Sequence, residues 1–553
     1  MLPAQYNYTI LMNKFLDRTR NLIFARQTSM ISSTLILASM LIVARFFGFL
    51  RYRTLATFFT TEQLDIFFAA FRIPDLVFEI LITGALSTSF IPFFIKYQRN
   101  KESQSIHISS IINLIAAILI GAILLATIFL PQIMHIITPG FNAEKTRIIV
   151  MYSQILLVGQ LPFLVFGNFL TGISQARKSF LIPALAPIIY NVAVIIVTFM
   201  FANNLYLMAP VLGIVIGALL FFLIQLPVLF TSDFQYRLII VWSHSLIEFF
   251  RIVIPRIFTV IVAQIDATID LTLATLLGSG SYTIFYLAQH LQLLPVSVIG
   301  MAFGQASLPY LTEMYQEKNM DQFRKIIVDS LLNLLFLTIP IMAYFIFART
   351  PIVRFFYGGE KFDWDATVLT AITLSYFSLS LPFHSIYYFL TRCFYAAFDS
   401  KTPFFIGLVS IIINTILSVL FVIIFRFPIW AVAIAFSTSM IFNTLVLLIF
   451  LYRRIGGFDL KLLITEVSRI SLAALVASLL VYNLQRLLDG LVLDTQRTIF
   501  VVLLLVITFT VYILLYLFLS WILNVREMYL LTKMMLKVKE YHRKIVEVYT
   551  GVS

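Results

Sequence analysis

VARFFGFLRYRTLATFFTTEQLDIFFAAFRIPDL, residues 43–76, sets Arg45, Arg51, Arg53, Asp65, Arg72 and Asp75 into an otherwise apolar stretch. The whole 553-residue chain is 61% hydrophobic and only 12% charged. Outside this stretch, apolar runs of about 20 residues recur with short polar breaks, each long enough to cross a ~30 Å hydrocarbon layer as a helix. A membrane-spanning backbone must satisfy its own hydrogen bonds, and long apolar runs without strict alternation favour helices over a barrel. The chain therefore reads as an all-α polytopic membrane protein. Fourteen spans are expected, near 29–50, 66–95, 106–130, 147–172, 181–201, 206–231, 247–275, 282–307, 327–348, 366–390, 404–425, 429–452, 465–484 and 498–523.

A polar segment, 1–28, carries Lys14, Arg18, Arg20 and Arg26 ahead of span 1. That span is long and continues into Arg45, so it reads as a retained crossing and not a cleaved signal peptide. The formal net charge is +13. In a membrane chain such an excess marks cytoplasmic loops more readily than a nucleic-acid surface. With the N-terminus inside and the spans alternating, 24 of the 39 lysines and arginines fall on the inner side. Both termini are expected in the cytoplasm, and no nucleic-acid partner is. The tail 524–553 contains REMYLLTKMMLKVKEYHRKIVEV, which reads as a basic amphipathic helix lying on membrane lipid. A single cysteine, Cys393, excludes an internal disulfide and a cysteine-based metal site, and the six histidines lack metal-ligand spacing. No metal or redox cofactor is expected.

Short words repeat in order. LPF at 161–163 and FLT at 169–171 return as LPF at 381–383 and FLT at 389–391, and Pro183 matches Pro403 at the same offset of 220. TLAT at 54–57 returns at 272–275, and the series Pro92, Tyr97, Asn100 returns as Pro309, Tyr315, Asn319. Near-constant displacement over so long a stretch implies an internal duplication. Two six-span lobes follow, 29–231 and 247–452, with spans 13 and 14 (465–523) appended. An even number of spans per copy gives both copies the same orientation, an arrangement of secondary transporters whose site lies between two lobes.

On span 2, at 100° per residue, Asp65, Arg72, Asp75, Glu79, Thr83 and Ser87 fall within roughly 120° of one another. Pro74 is expected to bend that helix. A charge facing lipid costs several kcal/mol, so the stripe must pair internally or line a wet cavity. Two readings follow: Arg72 pairs with Asp75 or Asp65 to hold helices together, or the surplus of Arg45, Arg51, Arg53 and Arg72 over Asp65, Asp75 and Glu79 receives an anionic guest. Arginine forks suit phosphate and pyrophosphate oxygens because each offers fixed bidentate donors. In the second copy, Arg256 shares a face of span 7 with Asp266 and Asp270, as an internal pair or a cation site. His290 stands where the repeat offset puts Arg72, as a satisfied core residue or a cavity residue.

The run ARFFGFLRYR…LDIFFAAFRIPDL…GALSTSFIPFFIKY resembles the amino-terminal signature of the MurJ (MviN) lipid II flippases, of the multidrug/oligosaccharidyl-lipid/polysaccharide exporter superfamily. SFLIPALAPIIYN at 179–191, GQASLPYL at 304–311, YGGEKF at 357–362 and DSKTPF at 399–404 resemble later blocks of the same family. The resemblance implies a transporter, not an enzyme, in the bacterial cytoplasmic membrane. It implies movement of the undecaprenyl-pyrophosphate-linked peptidoglycan precursor, lipid II, through a cavity lined by arginines, with a groove for the lipid tail formed with spans 13 and 14. Arg45, Arg51 and Asp65 match the family pattern, with Arg53 beside them and Arg72 where relatives have Lys or Arg. The chain departs from the pattern at Phe78, at Thr83 and at the Gln289–His290 pair. It further implies coupling to a sodium ion, with Asp266, Asp270 and Asn414 as candidates, or to the membrane potential, and work alongside the cell-wall synthesis machinery. The alternatives are a flippase for another polyprenyl-linked glycan, a drug or cation antiporter, which the arginine surplus disfavours, and a membrane-embedded sugar ligase. Such ligases carry a large extramembrane loop or an acidic metal cluster, and the sequence has neither.

Overall fold

A computed structural model of the chain describes residues 30–82, 90–97, 100–177, 179–231, 234–494 and 497–528. The segment 1–28, all of the tail past Met528, Thr83 and Ser87 lie outside the described residues. The described chain is helical, without a strand. Its helices are α1 Met30–Phe58, α2 Thr61–Ala70, α3 Arg72–Leu81, α4 Ile91–Lys96, α5 Lys101–Ile137, α6 Ala143–Gly159, α7 Leu161–Ala176, α8 Leu181–Leu205, α9 Met208–Leu223, α10 Pro227–Thr231 and α11 His244–Leu276. They continue as α12 Ser281–Pro295, α13 Ala302–Gln316, α14 Met320–Phe347, α15 Arg349–Tyr357, α16 Trp364–Ser378, α17 Leu381–Ala396, α18 Lys401–Val419, α19 Trp430–Arg454, α20 Leu460–Leu487 and α21 Thr498–Ile522. Contacts divide them into two compact units: the described residues up to Thr283 with Gly359–Phe362, and Ile284–Gly358 with the residues from Asp363 onward.

Ten helices or continuous helix pairs among the described residues are long and apolar enough to cross a membrane, and α16 with α17, bent by 43°, makes an eleventh. The three remaining expected crossings fall on α1, on α2 to α4, between which 83–89 lie outside the described residues, and on α11. α1 and α11, at 29 and 33 residues, are longer than the roughly 20 residues a crossing needs. The count of fourteen is consistent with this architecture.

Proline sets the local breaks. LPF opens α7 and LPF opens α17, each with its proline in the first turn, where the missing N–H costs nothing. Span 2 does not merely bend at Pro74; it breaks three residues earlier, at Phe71. Proline removes the hydrogen bond to the carbonyl four residues back and its ring crowds that carbonyl, here of Ala70. The freed Ala70 oxygen accepts instead from the Ser153 hydroxyl of α6 at 2.7 Å, and Arg72 begins a new helix. Ser153 is buried, so Ser153→Ala leaves a carbonyl without a partner in the membrane interior. The expected loss is about 1–3 kcal/mol, read as a lower temperature of aggregation in detergent. An unchanged temperature refutes this account of the break.

In the first unit, residues 234–243 form an extended strap along the first turns of α5. Ser105, Ser109 and Asn113, spaced by four, present one polar face. Gln235, Arg237 and Val241 donate their backbone N–H groups to the hydroxyls of Ser105, Ser109 and Ser110. The Asn113 amide donates to the carbonyls of Arg237 and Ile239 at 2.9 and 2.8 Å, and the Tyr236 hydroxyl returns to Asn113 Oδ1. Ser243 ends the strap and caps α11. α5 has 37 residues, about 55 Å at 1.5 Å per residue, which exceeds the hydrocarbon thickness.

In the second unit, the DSKTPF block is a turn pinned from two sides. Asp399 accepts from the backbone of Lys401 and Thr402 and from the Thr402 hydroxyl, and pairs with Arg454. Burial opposes ionisation of Asp399, but the Thr402 hydrogen bonds and the Arg454 charge outweigh it and hold this carboxyl below its ordinary range.

Candidate functional site

The break at Phe71 decides where the charges of span 2 go. Before it, Asp65 on α2 is 1% exposed. Its two oxygens accept from the backbone N–H of Gly280 at 2.6 Å and of Thr283 at 2.7 Å. Asp65 thus caps the start of α12 from a distant part of the chain, satisfying donors that a helix N-terminus leaves open. Gly280 has φ +83°, and a Cβ there would stand 2.6 Å from the Thr61 hydroxyl, so the close approach requires glycine.

After the break, Arg72 reaches α11. Its Nε donates to Thr268 Oγ1 at 2.9 Å, and Nη2 donates to Gln264 Oε1 at 2.8 Å and to the Gln264 carbonyl. All of these acceptors are neutral. Neither of the expected partners, Asp65 or Asp75, forms an ion pair with Arg72 among the described residues; Asp65 is committed to backbone. The guanidinium is oriented without being neutralised by a hydrogen-bonded carboxylate. Asp75 remains close enough to feel Arg72, Glu79 and Arg51 electrostatically. It lines a cavity of about 390 Å³ with Phe78, Gln160, Asn168 and Tyr190. Arg51 stacks over the rings of Tyr52 and Tyr190, 4.7 and 5.9 Å from their centroids. Arg53 is half-buried and Arg45 exposed on α1.

The structure thus groups Arg51, Arg72, Asp75 and Glu79 in the first unit, with Arg45 and Arg53 further along α1. Asp266 and Asp270 lie on α11, roughly half a turn around the helix from Gln264 and Thr268, so they do not share the face that holds Arg72. Asp270 is buried and Asp266 half-buried, while the side chain of Arg256 lies outside the described residues. In the second unit, Asn414 is 2% exposed on α18, and the half-buried His290 packs its ring on Tyr286 with 4.3 Å between centroids. Sequence reasoning missed Gln264, Thr268, Gln160 and Tyr190. The available signal was a polar side chain inside an apolar span, but their partners are distant in the chain.

The second unit carries an apolar groove of about 640 Å³, lined by α14 from Leu331 to Phe347, by α17 and α19, and by α20 from Leu463 to Ser478. From Leu331 to Phe347, sixteen steps along α14, the helix rises about 24 Å. Span 13, as α20, forms one wall of this groove; span 14, as α21, is not among its lining helices.

Charges held inside the first unit, and a long apolar groove in the second, suit the two ends of an amphipathic anion, and the fold has solved counterparts. It matches the inward-facing structure of a multidrug resistance MATE family transporter of the MOP superfamily, with a TM-score of 0.65 at 14% identity over 76% of this chain and 98% of that one. The chain belongs to the family described as lipid II flippase MurJ, whose model matches residues 55–501. A probable lipid II flippase MurJ of Rickettsia prowazekii is 30% identical over 400 residues, 70% of this chain and 77% of that protein. The solved structure of a lipid II flippase MurJ in an inward closed conformation superposes with a TM-score of 0.74 at 25% identity, covering 88% of this chain and 98% of that one.

Proposed function

We propose that this chain is a transporter, not an enzyme, that moves lipid II across the bacterial cytoplasmic membrane by alternating access. The observation that carries the reading is Arg72: a guanidinium inside a membrane span, fixed by three hydrogen bonds to neutral oxygens. A cation arranged this way keeps its charge for a guest, and its planar fork suits pyrophosphate oxygens. Arg51, backed by two tyrosine rings, supplies a second fork, with Arg45 and Arg53 along the approach on α1. The apolar groove of α14 and α20 takes the polyprenyl tail: about 24 Å exceeds the ~15 Å of one leaflet, which suits a chain longer than an ordinary acyl chain. Both termini lie in the cytoplasm on this reading, as the basic asymmetry supports. Moving one charge through the membrane potential supplies about 2.3 kcal/mol per 100 mV to reset the cavity, and a sodium ion near Asp266, Asp270 or Asn414 is the alternative source. The cell-wall synthesis machinery would consume what this chain delivers. Expressing it in cells depleted of their own lipid II flippase tests the proposal: rescue of growth and shape is expected, and failure to rescue at normal membrane abundance overturns it.

A further inference from the structure

The groove does not end in lipid. At the end where α14 stops and α21 begins it opens into a second cavity of about 530 Å³, sharing Ile346, Phe347 and Ser478 with it. Three arginines line this cavity against one carboxylate: Arg349 at the start of α15, Arg354 in its last turn, Arg486 in the last turn of α20, and Asp489. Arg354 lies over the ring of Trp364 and Arg486 over that of Tyr482. Both aromatic side chains are themselves exposed, 59% and 42%, as rings at a headgroup layer are. Gln485, 9% exposed, also lines the cavity, and its Oε1 has no hydrogen-bond partner among the described residues.

We propose that this cavity binds the diphosphate of a polyprenyl-linked lipid at the headgroup level, with the isoprenoid chain in the adjoining groove. It would be a second station for the anion, made of residues other than Arg51 and Arg72. Three considerations select the occupant. The net positive lining wants an anion, and guanidinium forks take phosphate oxygens bidentately. A diphosphate brings more than one negative charge to a lining of three arginines and one carboxylate. The groove leading away is longer than one leaflet is deep, so a single long chain fills it and an ordinary acyl chain does not. On the topology read from the basic residues, this end faces the outer leaflet, where a flipped lipid departs. The ligand class rests on the lipid II reading; the site itself does not.

The test uses the purified full chain in detergent, titrated with undecaprenyl diphosphate and followed by native mass spectrometry. Wild type is expected to take up one equivalent, because a single chain fills the groove, and Arg51→Gln/Arg72→Gln is expected to keep it at the outer station. Adding Arg349→Gln/Arg486→Gln to that variant is expected to weaken binding roughly tenfold per arginine. Both outer arginines are exposed, and an unchanged aggregation temperature shows that the fourfold variant folds. Inorganic pyrophosphate should bind far more weakly than the lipid, because it leaves the groove empty. The proposal is overturned if the fourfold variant binds as tightly as Arg51→Gln/Arg72→Gln, if phosphatidylglycerol competes at equal concentration, or if pyrophosphate alone binds as tightly. An equivalent lost altogether with Arg51 and Arg72 overturns the second station and leaves the flippase reading standing. No binding at all by wild type removes both.

Discussion

Arg72→Ala is expected to abolish rescue of flippase-depleted cells while the protein stays at normal abundance in the membrane, and Arg51→Ala to do nearly the same. A hydrogen bond involving a charged group contributes about 1.5–3 kcal/mol, so losing a bidentate contact to pyrophosphate costs about 3–5 kcal/mol, some 10²- to 10⁴-fold in binding. Arg72→Lys should recover only part of this, because an ammonium cannot span Gln264 and Thr268 while presenting a fork to the substrate. The competing account is that Arg72 only ties α3 to α11. On that account Gln264→Ala paired with Thr268→Val should harm the protein as much as Arg72→Ala, and both should lower abundance. Full rescue by Arg72→Ala would remove this residue from the site.

Asp65→Ala is expected to have the largest effect on stability. Removing the carboxylate orphans two buried N–H groups, at about 1–3 kcal/mol each, against a typical total stability of about 5–15 kcal/mol. Asp65→Asn keeps one acceptor and turns an amide N–H toward a backbone N–H, so it should fall between. Heating detergent-purified protein and measuring what remains monodisperse by size-exclusion chromatography ranks them as wild type above Asn above Ala. Gly280→Ala, which forces a Cβ against Thr61 at positive φ, should resemble Asp65→Ala. If Asp65→Ala survives heating as wild type does yet fails to transport, Asp65 serves the substrate and not the fold.

Much of this was legible in the residues. Apolar runs gave the helices, and prolines marked the breaks, because both are properties of short stretches. The charged stripe singled out Arg72 for the same reason: a charge in an apolar span is costly wherever it sits. What stayed hidden is long-range pairing. Helical periodicity put Asp65 and Arg72 on one face, but the break at Phe71 ends that periodicity between them, and Asp65 finds its donors 215 and 218 residues away. Gln264 and Thr268 were unremarkable in span 7 until the fold placed Arg72 against them. The serines of α5 looked like tolerated polar residues, since nothing local shows that a strap will cover them.

That strap has a consequence for biogenesis. α5 is synthesised long before the residues that complete its polar face: Ser105, Ser109 and Asn113 find their partners 123 to 130 residues later in the chain. At about 5–20 residues per second, the ribosome adds that length in roughly 6 to 26 seconds. During this interval the helix must enter the membrane with one face unfinished. Serine tolerates the wait, because its hydroxyl can borrow a carbonyl one turn back, as Ser110 does with Ile106; Asn113, with a whole amide to satisfy, must keep to the aqueous edge. The nascent chain thus leaves the first turns of α5 in water until the strap arrives, which fixes how deep the helix sits before the second half of the protein has been made.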